Sequence, residues 1–391
     1  MALSLKDIVD SYDPNLPLAE ASTPPAAWYA DSRIFDLEQR TVFAHSWQMV
    51  GRSEQVRNAG QYISCEVAGE PVLVVRGNDG ALRAFYNVCR HHAAAVVTQP
   101  DGWAQHLRCP YHGWTYDLAG ELVGTPDFAG VRDFDRDENG LVQIDAAIWE
   151  NWIFVRLERR GPALEAFWGD ELIGRIRQLD LSKLHWFERR SYTVQCNWKV
   201  FVDNYLDGGY HVPHLHRDLH SVLDYSDYTI ENGERFCLQS CPIEKQGARS
   251  MEQGINRRLP SQKMPDSLNT QIPAVRGGEQ ALYYWLYPNF MIDWYEGVMD
   301  TNLVLPRTVD QTEVIFDFYF ADISEAARER NLASIAVSER IQAEDDGICN
   351  AVQRGLKSRA YTAGRLSVRR EAGEHLFHRL LYADFVSGTG E

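Results

Sequence analysis

Two short segments, each with one cysteine and one histidine, constrain this chain more than any other feature of its sequence. Cys89 and His91 are separated by one residue, Cys109 and His112 by two, and seventeen residues lie between the two segments. Two thiolates and two imidazoles form a common metal-ligand set, and Zn²⁺ is one ion that takes it. Zinc fingers, however, place both cysteines in one segment and both histidines in the other. The mixed arrangement favours two facing loops that each supply one sulfur and one nitrogen.

A Rieske [2Fe–2S] centre requires this mixed set, because two histidines replace two cysteines on one of its irons. The residues after His112 agree with that interpretation. Gly113, Trp114 and Tyr116 suit a loop that packs against a cluster and donates hydrogen bonds to its sulfurs. The sequence therefore predicts that the two cysteines and two histidines hold a Rieske cluster, with a structural zinc site as the alternative.

Length and composition indicate a globular protein that is larger than a simple electron-carrying module. The chain has 391 residues, of which 45% are hydrophobic and 24% charged, and this suggests two domains. Its net charge of −16 argues against nucleic acid and anionic membrane surfaces as partners. Seven cysteines, two of them assigned to the cluster, do not indicate a disulfide framework. The N-terminal residues lack the pattern of a signal peptide and no apolar run could span a bilayer, so a cytoplasmic location is predicted.

Changes in the residue pattern predict three segments. Residues 1–44 read as an N-terminal arm with a helical apolar rhythm over 32–43. Residues 45–157 form a small antiparallel β domain whose loops carry the cluster ligands. After a boundary at 159–162, residues 163–391 mix helices and strands in a second domain.

Individual elements follow from periodicity and turn residues. Period-two patterns predict strands, at 62–66, 72–76, 82–88, 152–157, 282–292 and 314–320. A helical spacing of apolar residues extends from 324 to about 357. Residues 241–280 are polar and without periodicity, which predicts a lid over a site or a disordered loop.

A second metal site is predicted around two histidines, His211 and His216. They lie five residues apart, and Pro213 between them would break a helix just after His211. A carboxylate added to two histidines gives the ligand set of non-haem Fe(II) oxygenases. Asp345 is the best candidate, because it lies near the apolar face of the long helix, whereas Glu344 and Asp346 are rotated away towards a solvated acidic patch.

Three motifs together identify the chain as similar to a known family. The segments CRHH…CPYHGW, NWKVFVDNYLDGGYH and EDDGICNAVQRGL resemble those of Rieske non-haem iron oxygenase α subunits, and the choline monooxygenase-like branch is the most similar. The resemblance covers nearly the whole chain. It implies an α+β fold in which an antiparallel Rieske domain is inserted in a helix-grip (START-like) catalytic domain, with the N-terminal arm joining the catalytic domain.

The resemblance also implies the cofactors, the partners and the iron ligands. Carried onto this sequence, the mononuclear Fe(II) ligands are His211, His216 and Asp345. The chain has no nucleotide-binding loop, so electrons from NAD(P)H must arrive through a separate reductase or ferredoxin. The expected assembly is a head-to-tail homotrimer in which one subunit's cluster feeds its neighbour's iron. O₂ and a small organic substrate complete the reaction.

The resemblance favours a quaternary or N-methylated amine, such as choline or a betaine, as the substrate. A cationic head binds to aromatic faces, and residues 283–295 form the densest aromatic stretch in the chain. Substrate contacts are therefore predicted at Tyr287, Trp294 and Tyr205. An aromatic acid, the alternative substrate for a ring-hydroxylating or demethylating oxygenase, would require an Arg or Lys in the pocket, and the sequence places none there. A Rieske electron carrier without a catalytic iron is the alternative from a different class.

One departure from the family concerns the electron route between subunits. Many relatives carry an acidic residue three positions before the first iron-binding histidine, where this chain has Gly208. Asp207 lies four positions before His211, and a helix would place it on the same face. Asp207 is therefore predicted to bridge His211 to the neighbour's cluster, with Asp203 as the alternative.

Overall fold

A computed structural model describes residues 3–159, 161–216, 227–243 and 276–389. The chain forms two units, and each of them is built from two stretches of sequence. The first unit combines Met1–Ser32 with Lys183–Leu380, and the second combines Arg33–Ser182 with Leu381–Glu391. The second unit therefore interrupts the first, as the resemblance implies. The domain limits read from sequence, 44/45 and 157/163, stay a prediction, and the division between the units lies at 32/33 and 182/183.

Most of the α-helices are short, and the longest has 29 residues. In the described residues the α-helices are α1 (Leu5–Asp10), α2 (Ala27–Ala30), α3 (Ser32–Glu38), α4 (Leu164–Trp168), α5 (Asp170–Arg177), α6 (Trp198–Leu206), α7 (Val212–Leu215), α8 (Arg328–Leu356) and α9 (Ala372–Gly388). A π-helical turn over Gln39–Phe43 continues α3. Short 3₁₀ turns span Ser53–Val56, Asp137–Asn139, Leu181–Lys183 and Glu325–Ala327. None of these helices combines the length and the apolar character that a membrane crossing requires.

The strands of the described residues form three antiparallel sheets. Their bounds are β1 (Gln48–Arg52), β2 (Gln61–Val67), β3 (Glu70–Arg76), β4 (Leu82–Tyr86), β5 (Asp101–Trp103), β6 (Leu107–Arg108), β7 (Thr115–Tyr116), β8 (Leu122–Gly124), β9 (Gln143–Trp149), β10 (Trp152–Arg156), β11 (His185–Val194), β12 (Thr229–Asn232), β13 (Phe236–Pro242), β14 (Gly277–Leu286), β15 (Phe290–Glu296), β16 (Val298–Thr308) and β17 (Gln311–Phe320). The strand orders are β1-β10-β9-β4-β3-β2-β5, β6-β7-β8 and β11-β17-β16-β15-β14-β13-β12. These elements confirm the predicted fold class.

The second unit has a core on each face of its larger sheet. In β3, Leu73 and Val75 point to the core beneath the cluster loops, and Val72 and Val74 point to the opposite core. All four side chains are fully buried. Because successive strand residues face opposite sides, a strand buried on both faces reads as a continuous apolar run rather than an alternating one.

In the first unit, a seven-stranded antiparallel sheet packs against helices α6 and α8. Helix α6 begins at Trp198 because the Asn197 side chain accepts a hydrogen bond from the backbone N–H of Lys199, 3.1 Å away. Gln353 of α8 accepts from the backbone N–H of Asn197 at 2.9 Å and donates to the carbonyl of Tyr29 at 3.2 Å. The polar residues of the long helix thus fix the start of the helix that leads into the predicted iron site.

The prediction of one continuous strand over residues 282–292 is wrong, because the structure has two strands there. The chain turns over residues 287–289, and β14 pairs antiparallel with β15. Pro288 has no N–H for a sheet ladder, and Asn289 donates from its side chain to the carbonyl of Val304 at 2.8 Å. The resulting hairpin brings strand faces rich in tyrosine and aspartate into the same sheet.

The helix before His211 ends earlier than predicted. Helix α6 stops at Leu206, and Gly208 and Gly209 adopt φ of +66° and +68°. A Cβ on Gly208 would lie 2.2 Å from the carbonyl oxygen of Arg370. The chain therefore breaks at the glycine pair rather than at Pro213, which lies in the first turn of α7.

Most of the polar stretch predicted to form a lid lies outside the described residues. Only residues 241–243 and 276–280 of it are described, and they belong largely to β13 and β14.

Candidate active site

The two Cys/His segments fold into matching turns, one after β4 and one between β6 and β7. The carbonyl of Cys89 accepts from the N–H of Ala93 at 2.9 Å, and the carbonyl of Cys109 accepts from the N–H of Gly113 at 3.1 Å. Ala93 and Gly113 occupy the same position in the two turns and both have positive φ, +59° and +73°. The two turns therefore match at the cysteine and at the positive-φ residue, whereas His91 lies two residues after its cysteine and His112 three residues after its own.

The cysteine side of this site is buried and its histidine side reaches the surface. Cys89 and Cys109 are each 2% exposed, whereas His112 is exposed. The rings of His91 and His112 lie 4.7 Å apart between centroids. His91 also stacks on Trp114 at 4.7 Å with an interplanar angle of 5°. An electron leaving a cluster held here would depart from the side of the exposed His112 imidazole.

The cysteine and histidine side chains of the second unit are suited to bind a [2Fe–2S] cluster. Nδ1 of His91 is buried, and no described residue provides it with a partner. Burial, followed by the charges of His92 and His112, lowers the pKa of His91, which favours the neutral ring that can bind a metal. The hydroxyl of Tyr116 lies 3.5 Å from Cys89 Sγ, where it can donate to a ligating sulfur.

In the first unit the structure brings His211, His216 and Asp345 together. Oδ1 of Asp345 lies 3.1 Å from Nε2 of His216 and 3.8 Å from Nε2 of His211. One ligand atom from each residue falls within 4.8 Å of the other two. This spacing fits one ion with metal–ligand distances of about 2.0–2.2 Å, and two histidines with one carboxylate are the ligand set of a non-haem iron.

Two further carboxylates fix the tautomers of these histidines. Nδ1 of His211 lies 2.6 Å from Oδ2 of Asp207, and Nδ1 of His216 lies 2.6 Å from Oε2 of Glu344. A proton held on each Nδ1 leaves the Nε2 lone pair free for a metal. Burial alone would lower the pKa of His216, but its contacts with Asp345 and Glu344 outweigh burial and raise it.

Glu344 was predicted to lie in a solvated acidic patch and is indeed exposed, but its contact with His216 was not predicted. Its side chain is 46% exposed, but its longer reach carries the carboxylate to His216. Asn204 was also missed: its amide donates to Oδ1 of Asp345 at 2.8 Å. The sequence pattern indicates neither contact, because each one joins residues more than a hundred positions apart.

Replacing Glu344 by Gln is expected to weaken Fe(II) binding by about 10- to 100-fold, the range for outer partners of a metal-binding histidine. The amide can present its NH₂ to Nδ1 of His216 and favour the wrong tautomer. Fe(II) titration of the metal-free protein measures the affinity. Asp346→Asn is the matched control, because the carboxylate of Asp346 accepts from Gln342 at 2.6 Å and not from either histidine. Equal affinities for Glu344→Gln and the wild type would contradict the assigned role.

Asp203 and Asp207 have separate partners. Asp207 accepts from Nδ1 and from the backbone N–H of His211, the latter at 3.0 Å. Asp203 instead accepts from the hydroxyl of Tyr29 at 2.7 Å and contacts Nε2 of His378 at 2.9 Å. The contact between Asp207 and His211 forms across the glycine turn and not along a continuous helix.

A cavity of about 140 Å³ lies beside the three predicted iron ligands. Of the predicted substrate contacts, Tyr205 lines it, but Tyr287 and Trp294 do not. Side chains alternate along β15, so Asp293 and Tyr295 face the cavity while Trp294 points away. Tyr283 and Tyr295 supply the aromatic surface instead, with their hydroxyls 2.8 Å apart.

Two carboxyl groups and one guanidinium give the cavity its charge. Asp293 and Asp300 are directly opposite in the pairing of β15 with β16. Burial, and then the charge of Asp300, raises the pKa of Asp293 well above its usual range, and burial raises the pKa of Asp300 to about 6. Tyr205 donates to Asp293 at 2.6 Å. Arg276, which the sequence did not place here, also lines the cavity.

Each of the two units contains a segment that matches a known protein family. Residues 46–135 match the Rieske [2Fe-2S] domain, and residues 181–387 match the ring hydroxylating alpha subunit catalytic domain. The second match covers more than half of the chain. It excludes the interpretation as an electron carrier without a catalytic domain, and the first match excludes a zinc module.

Similarity to individual proteins extends over nearly the whole length. The chain is 37% identical to choline monooxygenase of Arabidopsis thaliana over 97% of its own length and 86% of that protein. It is 28% identical to the carnitine monooxygenase oxygenase subunit of Escherichia coli, over 93% of each. Among solved structures, the quaternary ammonium Rieske monooxygenase CntA superposes with a TM-score of 0.79 at 24% identity, covering 98% of this chain and 99% of that one.

Proposed function

We propose a substrate and a residue-level assignment for this chain, which belongs to the Rieske non-haem iron oxygenase α-subunit family and is a homologue of choline and carnitine monooxygenases. The substrate is a small quaternary or N-methylated amine, such as choline or a betaine, and the reaction is its hydroxylation. The observation that carries the proposal is the cavity beside His211, His216 and Asp345, with its tyrosine rings and buried acidic side chains.

The cavity offers the two features that recognise a methylated ammonium. Such a group donates no hydrogen bond, so it binds through aromatic faces and through nearby negative charge. Tyr205, Tyr283 and Tyr295 supply rings, and Asp293 and Asp300 supply two carboxyl groups beside them. Relatives whose names specify choline and carnitine act on substrates with this head group.

Cys89, His91, Cys109 and His112 hold the [2Fe–2S] cluster in this proposal, and His211, His216 and Asp345 hold the mononuclear iron. When bound, the cluster supplies single electrons and the iron activates O₂. One O₂, two electrons and two protons convert a C–H bond of the substrate into C–OH and yield one water. The surrounding residues keep the imidazoles in one tautomer, orient the substrate and limit access of water.

The electron route is proposed to run between subunits of a homotrimer. A separate reductase or ferredoxin supplies the electrons, as in the family. Asp207 then bridges His211 to a cluster histidine of the neighbouring chain, with support from two observations. Asp207 holds Nδ1 of His211, and His112 is exposed on the surface of its own unit. The study of CntA describes inter-subunit electron transfer in that enzyme. The predicted cytoplasmic location stays a prediction.

One observation supports the alternative of an acidic substrate. Arg276 lies in the cavity, where the sequence placed no cationic side chain, and an aromatic acid could pair with it. The tyrosines and the acidic pair still favour an ammonium group at the reacting end.

Turnover of choline against its neutral carbon isostere tests the proposed substrate class. The isostere has the same shape without the positive charge, so we expect it to bind more weakly by about 1–2 kcal/mol, the cation–π contribution. Coupled product formed with a generic reductase, rather than NADH loss, is the measurement. Equal or better hydroxylation of a benzoate-type acid would show that the aromatic-acid alternative is correct.

A further inference from the structure

Arg276 is a buried guanidinium that the described residues leave only partly satisfied. Its side chain is 11% exposed, and it lies over the ring of Tyr295 at 4.9 Å. It donates to the hydroxyl of Tyr295 at 3.3 Å and to that of Ser338. Nε is buried, and no described residue accepts from it. Arg276 therefore has only neutral hydrogen-bond partners, fewer than its five N–H groups could serve, and it lines the cavity.

Two other arginines, the buried Arg156 and the exposed Arg189, show what a guanidinium paired with a carboxylate looks like. Arg189 donates to both oxygens of Asp317, at 2.9 and 2.6 Å. Arg156, whose side chain is 4% exposed, donates from two nitrogens to Asp145 at 3.2 and 2.6 Å. For Arg276 the nearest carboxylate oxygen, on Asp300, lies 3.8 Å away, beyond hydrogen-bond distance. Arg189 and Arg156 thus each donate from two nitrogens to a carboxylate, and Arg276 makes no such contact within the described residues.

The polar groups of the cavity complement both charges of a dipolar ligand. Asp293 and Asp300, with the three tyrosines, provide sites for a cation, while Arg276 provides donors in a fork that matches a carboxylate. Choline has a hydroxyl where a betaine has a carboxylate, so it would leave the guanidinium with Asp300, 3.8 Å away, as its nearest carboxylate among the described residues. Leaving a buried charged donor unpaired costs binding free energy.

We propose that Arg276 anchors a carboxylate of the substrate, so that the substrate is a zwitterion of the betaine type, with a methylated ammonium group and a carboxylate on one small molecule. This inference rests on the proposed function and narrows its substrate class. Arg276 is then the residue that distinguishes betaines from choline, and the rings of Tyr205, Tyr283 and Tyr295 bind the end that both molecules share.

Glycine betaine and choline form the decisive pair, because they carry the same trimethylammonium group. We expect the wild-type enzyme to bind glycine betaine more tightly and to hydroxylate it with the higher kcat/KM. Arg276→Gln should lower the affinity for glycine betaine by about 10- to 100-fold, the value of hydrogen bonds between charged groups, and lower that for choline far less. Arg276→Lys keeps the charge without the fork and should give an intermediate loss. Calorimetric binding and coupled product formation are measured separately.

Arg340→Gln is the matched control, because Arg340 is an exposed arginine on α8 and should leave the affinities for both ligands unchanged. Melting temperature and cluster absorbance report on whether the Arg276 variants are folded. A wild-type preference for choline would overturn the anchor, whatever the stability of the variants. Equal losses for both ligands in Arg276→Gln would also overturn it, while the quaternary-amine function would stand. If neither ligand is hydroxylated and a benzoate-type acid is, the proposed function itself fails.

Discussion

Replacing His211, His216 or Asp345 by alanine is expected to reduce product formation to background while the visible spectrum of the [2Fe–2S] cluster stays unchanged. These three side chains supply the ligand atoms that converge within 4.8 Å of one another. Removing one leaves too few protein ligands to hold a non-haem iron. The cluster ligands belong to the other unit, so the cluster should be retained.

Iron content and absorbance separate the two sites in these variants. The loaded wild-type enzyme should contain about three irons per chain, of which about two are in the cluster and about one in the mononuclear site, and each variant should keep only the cluster irons. Asp346→Ala is the control, because its carboxylate is next to that of Asp345 in sequence but accepts from Gln342. Loss of the third iron in Asp346→Ala alone would assign the carboxylate ligand to Asp346. Loss of the cluster spectrum in His211→Ala would refute the division between the two sites.

Asp207→Asn should slow oxidation of a pre-reduced cluster by about 10- to 100-fold or more, the range for outer partners of a metal-binding histidine. The carboxylate of Asp207 holds the proton on Nδ1 of His211 through a 2.6 Å contact. An amide can instead present its NH₂ group, which favours the tautomer with the proton on Nε2. The exchange would disturb both the orientation of His211 and the proposed contact with the neighbouring subunit.

Single turnover with a pre-reduced cluster is the measurement, made with Fe(II) in excess and with iron content determined on the same samples. Asp203→Asn is the control, because its partners are Tyr29 and His378. Asp207→Glu should recover part of the rate, since it restores a carboxylate. Wild-type kinetics in Asp207→Asn would remove Asp207 from the electron route. A slow phase in Asp203→Asn alone would make Asp203 the bridging residue.

The proposed cluster and iron ligands could be read from the sequence because their residue types are rare in that spacing. Few combinations other than a Rieske centre use Cys-x-His with Cys-x-x-His. His211 and His216 lie close in sequence, so local geometry alone brings them near one another. Asp345 was predicted as the carboxylate ligand from its position among apolar residues on a long helix. In the structure its Oδ1 lies 3.1 Å from Nε2 of His216.

The cavity could not be predicted in the same way, because its walls come from strands whose faces are set by register. An aromatic stretch suggests a cation site, but side chains alternate along β15. As a result Tyr295 faces the cavity and Trp294 points away from it. The turn over residues 287–289 places Tyr287 against Trp285, with ring centroids 5.9 Å apart, and away from the cavity.

The sequence by itself determined the cofactor class, the family and the chain order of the two units, since ligand chemistry and short spacing are local properties. Only the tertiary structure decided which outer groups complete the sites. Glu344 reaches His216, the pair Gly208 and Gly209 turns Asp207 onto His211, and Arg276 lies beside Asp300. Two of these contacts join residues on different elements, and the third depends on backbone angles that glycine permits. The physical reason is that packing, and not spacing along the chain, sets the distance between such groups.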